Sequence, residues 1–62
     1  MSSEAIDRLI STLEIAGEEI ADLAYTAVRD QMIGLDDAKN REKKLMSARR
    51  AVVKATEALR SL

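Results

Sequence analysis

The stretch that decides the fold is AKNREKKLMSARRAVVKATEALRSL, residues 38–62. Its apolar residues recur mostly at intervals of three, four or seven, the spacing of one stripe along an α-helix. The stripe comprises Ala38, Leu45, Ala48, Val52, Ala55, Leu59 and Leu62, and Ala51 and Ala58 widen it. This pattern predicts a helix over about residues 37–61 with one apolar side.

The preceding residues predict a second, longer helix over about residues 3–33. Ser2 or Ser3 is suited to its N-cap, and Glu4 and Asp7 place negative charge at the positive end of the helix dipole. The apolar side of this helix covers close to half of its circumference and contains Ile6, Leu9, Ile10, Leu13, Ala16, Gly17, Ile20, Leu23, Ala24, Ala27 and Val28, with Gln31 on the same side. Because this sector is wider than the seam that meets one partner helix, we expect two neighbours.

The two helices are separated by the turn Gly34-Leu35-Asp36-Asp37. Gly34 is suited to the left-handed position that ends a helix, and Asp36 to the N-cap of the next helix, with Asp37 in its first turn. So short a connection predicts an antiparallel helical hairpin. In that hairpin, residues whose numbers sum to about 70 face each other. This brings Asp30 near Arg41, Asp22 and Glu19 near Arg49 and Arg50, and Asp7 near Arg60.

The composition limits how such a short chain is stabilised. It has 62 residues, of which 47% are apolar, with one aromatic residue, Tyr25, and no Pro, Cys or His. The lack of Cys excludes disulfides, and the lack of both Cys and His removes the common zinc ligands. Since a chain of this length buries little surface alone, we expect association with other chains.

Charge is distributed unevenly along the chain. Residues 1–33 carry seven acidic and two basic side chains, a net charge of −5, and residues 34–62 carry eight basic and four acidic ones, a net charge of +4. Opposite charges favour packing of the two helices side by side. The length and layout resemble those of small plasmid RNA-binding hairpins that dimerise into four-helix bundles, a resemblance of architecture without a shared residue motif.

We therefore predict an all-α fold, a helical hairpin that dimerises into a four-helix bundle. Parallel and antiparallel pairing of two hairpins fit the pattern equally well. The predicted oligomer or partner interface consists of Ile6, Leu9, Ile10, Leu13, Gly17, Ile20, Ala24, Val28, Leu45, Val52 and Leu59.

The residues that usually carry chemistry point to no catalytic, cofactor or metal site. Glu14, Glu18 and Asp22 form a row along one helix, which spreads their oxygens over two turns and does not converge them on a cation. Asp36 and Asp37 follow a helix-ending glycine and are better explained by capping. The serines and Tyr25 have no His to activate them. We expect a non-enzymatic protein without a cofactor.

Two groups of residues on the second helix are candidate contacts for a partner. Met46 and Val53 beside Arg49 and Arg50 have the composition of a protein-binding patch. An alternative prediction is a nucleic-acid contact through the basic residues Lys39, Lys43, Arg50 and Lys54. The first prediction is a small adaptor, chaperone-like subunit or inhibitor that binds protein. The second is a nucleic-acid-binding regulator.

The sequence contains neither a secretory signal nor a membrane span. The start Met-Ser-Ser-Glu lacks basic residues followed by an apolar run, and no apolar stretch approaches the roughly 20 residues that cross a bilayer. A cytoplasmic protein that does not enter the membrane is expected.

Overall fold

The computed structural model describes residues 3–62 and shows an all-α antiparallel hairpin. Helix α1 spans Glu4–Met32 and helix α2 spans Ala38–Arg60. Both helices agree with the predicted ranges to within one residue at each end. Neither helix within this described part is long and apolar enough to cross a membrane.

The start of α1 follows the predicted capping pattern. Ser3 has extended backbone angles, and its Oγ accepts a hydrogen bond from the backbone N–H of Ile6 at 3.5 Å. Glu4 and Asp7 lie in the first turn, where their negative charge interacts favourably with the positive end of the helix dipole. Ser3 is therefore the N-cap, while the alternative Ser2 lies outside the described residues.

The end of α1 is a Schellman motif built on Gly34. The Gly34 N–H donates to the carbonyl of Gln31, and the Leu35 N–H donates to the carbonyl of Asp30, both at 3.0 Å. Gly34 has φ of 79°, the left-handed conformation that costs glycine nothing. The prediction of Gly34 as the helix-ending residue is confirmed.

The start of α2 differs from the prediction. Asp37, not Asp36, precedes the first helical residue, and it has φ of 65° and ψ of −2° with no capping hydrogen bond from its side chain. A capping side chain reaches the next turn from an extended backbone, whereas the backbone of Asp37 is left-handed. Closing the hairpin with two left-handed residues, Gly34 and Asp37, therefore replaces the expected side-chain cap.

The two helices meet along a seam with a regular repeat on α1. Ala16, Ala21 and Asp30 are partly covered beside the seam, and the eight covered positions of the seam itself alternate in steps of three and four, which keeps one line of residues facing an antiparallel neighbour. They are Ile6, Ile10, Leu13, Gly17, Ile20, Ala24, Ala27 and Gln31. The broad apolar sector of α1 is thus only partly used by α2.

On α2 the seam differs from the predicted stripe. Its covered positions are Ala38, Glu42, Leu45, Val52, Thr56 and Leu59. Ala48 and Ala55, predicted for the stripe, are exposed, whereas Thr56 is only 8% exposed. The Thr56 hydroxyl donates to the carbonyl of Val52 at 3.0 Å, so this polar group is buried with a partner.

The exposed positions of the predicted stripe all lie on one side of the seam. Leu62, Ala51 and Ala58 are exposed together with Ala48 and Ala55. Compared with the prediction, α2 is therefore rotated about its axis so that Glu42 and Thr56 face α1. Spacing alone allowed either rotation, because residues on both sides of the Leu45, Val52 and Leu59 line fit a helical period.

The register of the hairpin is fixed by contacts along its length. An added Cβ at Gly17 would lie 3.6 Å from Cγ1 of Val52, and the Gln31 Nε2 donates to Glu42 Oε1 at 2.7 Å. Arg41 Nη2 lies 3.2 Å from Asp30 Oδ2, which confirms this predicted pair. Arg60, predicted to lie near Asp7, forms an ion pair with Glu14.

The hairpin has little core of its own. Its buried apolar residues are Ala24, Ala27 and Ala38, and no large side chain in the described part is fully buried. The molecule measures 51 × 14 × 10 Å with a radius of gyration of 14.5 Å. A compact chain of this length has a radius of roughly 11 Å. The fold is a two-helix rod on which several large apolar side chains, Leu9, Leu23 and Val53 among them, are exposed.

Candidate functional site

Most of the predicted interface residues lie inside the hairpin. Ile6, Ile10, Leu13, Gly17, Ile20 and Ala24 of α1 line the seam, as do Leu45, Val52 and Leu59 of α2. The large ones among them are partly covered, and Gly17 and Ala24 are buried. Leu9 and Val28 lie outside the seam and are 52% and 40% exposed. The surface available to another molecule therefore begins beside the seam.

One edge of the seam is marked by the ion pair between Asp30 and Arg41. In helices packed with this repeat, every seventh residue returns to the same side. Counting back from Asp30 and forward from Arg41 within the two helices gives five residues along this edge, which we call the leucine–alanine face. They are Leu9, Ala16 and Leu23 of α1 and Ala48 and Ala55 of α2.

The leucine–alanine face is continuous across both helices and largely exposed. Leu9 and Leu23 are 52% and 57% exposed, Ala48 and Ala55 are exposed, and Ala16 is partly covered. Near the turn, one shallow depression is lined by residues of both helices, namely Leu23, Thr26, Arg41, Lys44 and Leu45. This shared depression independently places Leu23 and Arg41 on the same side of the hairpin.

The opposite edge of the seam is marked by the ion pair between Arg60 and Glu14. Counting by sevens along it leads to Val53 and Met46 on α2 and to Val28 on α1. Val53 is 44% exposed and Met46 is partly covered. The two apolar edges of the hairpin are thus distinct, and the Arg60–Glu14 ion pair lies at one end of the second edge.

The predicted protein-binding patch lies at this second edge. Met46, Arg49, Arg50 and Val53 line one shallow depression together with Lys54 and Glu57. Arg49 and Val53 also line a neighbouring groove that reaches Glu14 and Glu18 of α1. The structure therefore brings the four patch residues together, with both acidic and basic side chains around them.

The four residues of the alternative nucleic-acid contact are all exposed on α2. Lys39, Lys43, Arg50 and Lys54 have no ion pair with any of residues 3–62. They form two pairs, each one turn apart, on the side of α2 away from the leucine–alanine face, and the neighbouring helix α1 is acidic. Their positive charge therefore faces solvent, and the negative charge of α1 lowers the positive electrostatic potential around them.

The acidic row on α1 forms no metal-binding cluster. Glu14 pairs with Arg60, and Glu14, Glu18 and Asp22 are exposed at successive turns. Among residues 3–62, no three acidic side chains converge closely enough to hold a metal ion. The expected solvated row is consistent with this geometry.

Sequence reasoning missed two residues of the seam, Glu42 and Thr56. Both are polar and therefore lie outside a search for apolar spacing. A signal was nevertheless present, since Ala38, Glu42, Leu45, Val52, Thr56 and Leu59 follow the same steps of three, four and seven as the seam of α1. That repeat would have predicted that Ala48 and Ala55 are exposed on the surface of α2.

Comparison with known proteins gives no family assignment: no protein-family model, no curated protein and no solved structure matches this chain.

Proposed function

We propose that the protein is a non-enzymatic protein–protein interaction module, a small adaptor, chaperone-like subunit or inhibitor of the cytoplasm. The observation that carries the proposal is the leucine–alanine face, an apolar surface that spans both helices and is not used by the hairpin itself. Contiguous apolar surface of this kind is typical of interaction sites. A helical face of this type binds another helix or helix pair.

The area of the molecule supports the same proposal. The hairpin exposes 4927 Å², whereas a compact monomer of its 6.8 kDa exposes roughly 4,000 Å². A standard protein–protein interface removes about 800 Å² from each partner. The excess is therefore of the size that one interface would cover.

The arginine-containing patch is a second surface for a partner in this proposal. Met46 and Val53 supply apolar contact, and Arg49, Arg50 and Lys54 outnumber Glu57 around them. Such a surface favours an acidic, amphipathic partner segment. It lies at the opposite edge of the seam, so it stays accessible when the leucine–alanine face is covered.

The proposal is tested with a pair of variants matched in exposure. Leu23 lies on the leucine–alanine face and is 57% exposed, and Ile15 lies away from it and is 58% exposed. We expect Leu23→Glu to abolish association, because it would place a carboxylate in the apolar contact, while Ile15→Glu leaves association unchanged. Sedimentation velocity measures self-association, and co-purification with tagged protein measures binding to other proteins.

Helicity by circular dichroism serves as the folding control for both variants. If both variants retain the association behaviour of the wild type, the leucine–alanine face is not an interaction surface and the proposal fails. Equal loss in both variants would also contradict it, since Ile15 would then be as important as Leu23.

A nucleic-acid-binding regulator is the second candidate, favoured by the four unpaired basic residues Lys39, Lys43, Arg50 and Lys54. Phosphate contacts by these residues would make affinity fall steeply between low and physiological salt. Fluorescence anisotropy with a short duplex or hairpin RNA measures this, and Lys43→Glu with Arg50→Glu should abolish binding. Lys44→Glu makes a single charge reversal outside the four and is the matched control for Lys43→Glu alone. Absence of binding at low salt rejects this candidate.

A further inference from the structure

We propose that the occupant of the leucine–alanine face is a second copy of this chain, packed with both turns at the same end of a four-helix bundle. In this arrangement the two-fold axis runs along the hairpins, and α1 of each copy lies against α2 of the other. The inference rests on the proposed function and adds to it the partner and the topology.

The area and the core of the hairpin argue for a second copy. The exposed area exceeds that of a compact monomer by roughly 1,000 Å², and each partner of a standard interface loses about 800 Å². Among residues 3–62 of the single hairpin, the buried apolar residues are Ala24, Ala27 and Ala38. When two such faces pair, the apolar side chains of one copy cover the leucines of the other, and no further component is needed.

The charges of the helices select the same-end topology. Residues 1–33 carry a net charge of −5 and residues 34–62 a net charge of +4. With both turns at one end, every helix has two neighbours of opposite charge. With the turns at opposite ends, α1 lies against α1 and α2 against α2, so like charges are adjacent. Long-range electrostatics therefore favour the same-end dimer.

The ion pair at the edge of the face supports the same choice. Asp30 and Arg41 lie side by side, 3.2 Å apart between Oδ2 and Nη2. In the same-end dimer each of them faces its opposite in the other copy, so four charges of alternating sign form one cluster. In the opposite-end dimer they would face the far end of the other hairpin.

Side-chain size fits the same register. Residues at equal height on the face are Leu23 with Ala48 and Ala16 with Ala55, because each pair sums to the same number as Asp30 with Arg41. In the same-end dimer Leu23 therefore lies over Ala48 of the other copy, a large residue over a small one. Ala16 lies over Ala55 of the other copy, where small side chains allow the helices to approach closely.

This topology also bears on the second candidate function. In the same-end dimer the two α2 helices lie diagonally, and each set of basic residues has acidic helices on both sides. In the opposite-end dimer the α2 helices are adjacent and their basic residues would add into one surface. The same-end dimer thus favours protein binding over phosphate binding.

Disulfide cross-linking between single-cysteine variants tests the proposal, and the chain has no cysteine of its own. We make Ala16→Cys and Ala55→Cys separately and oxidise each alone and as a mixture. The same-end dimer predicts severalfold more cross-linked product in the mixture than in either variant alone, because position 16 meets position 55 of the other copy. Ser47→Cys, on a side away from the face, measures collisional cross-linking.

Three results would overturn the proposal. Self-linked Ala16→Cys or Ala55→Cys as the main product indicates the opposite-end dimer. Cross-linking no greater than that of Ser47→Cys indicates that the face does not pair with itself. A monomer by sedimentation, together with a protein partner lost in Leu23→Glu but kept in Ile15→Glu, rejects the second copy while retaining the proposed function. Equal behaviour of Leu23→Glu and Ile15→Glu rejects the proposed function itself.

Discussion

Gly17 is a single residue in the middle of α1 that faces Val52 across the seam. Glycine in a helix costs about 1 kcal/mol relative to alanine, a cost that would have a packing reason if the helices approached each other closely at this point. The structure removes that reason, because an added Cβ would lie 3.6 Å from Val52 Cγ1, an ordinary contact distance. Packing within the hairpin therefore does not offset the free-energy cost of glycine at position 17.

We predict that Gly17→Ala stabilises the protein by about 0.5–1 kcal/mol, because it reduces the backbone entropy lost on helix formation and fits the available space. Chemical denaturation monitored by circular dichroism measures the change. Gly17→Leu is the control, since its larger side chain would overpack against Val52 and destabilise. If Gly17→Ala destabilises the protein, the added Cβ must lie closer to Val52 than the 3.6 Å given by the structure.

At the scale of elements, the turn joins α1 to α2 through two left-handed residues. Gly34 has φ of 79° and Asp37 has φ of 65°. An L-residue with a side chain is strained in this conformation, though aspartate less than most. The short return of the chain determines both angles, and it also determines that α2 starts without a side-chain cap.

We predict that Gly34→Ala destabilises the hairpin by about 1–2 kcal/mol through backbone strain alone. No atom lies within 4 Å of an added Cβ at this position, so no clash contributes. A synthetic chain with D-alanine at position 34 is the control, because D-alanine favours positive φ and should be tolerated. Equal stability of the L- and D-alanine chains would contradict the left-handed conformation of Gly34.

At the scale of the whole molecule, the hairpin is a thin rod whose stability depends on what covers its faces. It has three buried alanines and no fully buried large side chain among residues 3–62. Covering the leucine–alanine face with a second copy would couple folding to association. Its melting temperature would then depend on protein concentration.

We predict that the melting temperature rises with protein concentration over a hundredfold dilution series followed by circular dichroism. Leu23→Glu should melt at a lower temperature that does not change on dilution, and Ile15→Glu should keep the dependence of the wild type. A wild-type melting temperature unchanged by dilution, with full helicity at the lowest concentration, would indicate a self-sufficient monomer.

The sequence by itself determined the two helices of this protein and the end of α1, but not the residue that precedes α2. It placed the N-cap of α1 at Ser2 or Ser3 and the end of α1 at Gly34, because capping and left-handed conformations depend on residues only a few positions apart. The pairing of Asp30 with Arg41 followed from the length of the turn. Periodicity likewise identified which side of α1 is apolar, since that requires only the pitch of one helix.

Only the tertiary structure decided the rotation of α2 about its axis. Both Thr56 and Ala55 are compatible with a helical stripe through Val52, and the choice between them depends on how α1 fits against the whole length of α2. That choice placed Thr56 in the seam and left Ala48 and Ala55 outside it, beside Leu9 and Leu23. Because this outcome depends on packing between residues far apart in the chain, local spacing in the sequence was not sufficient to predict the leucine–alanine face.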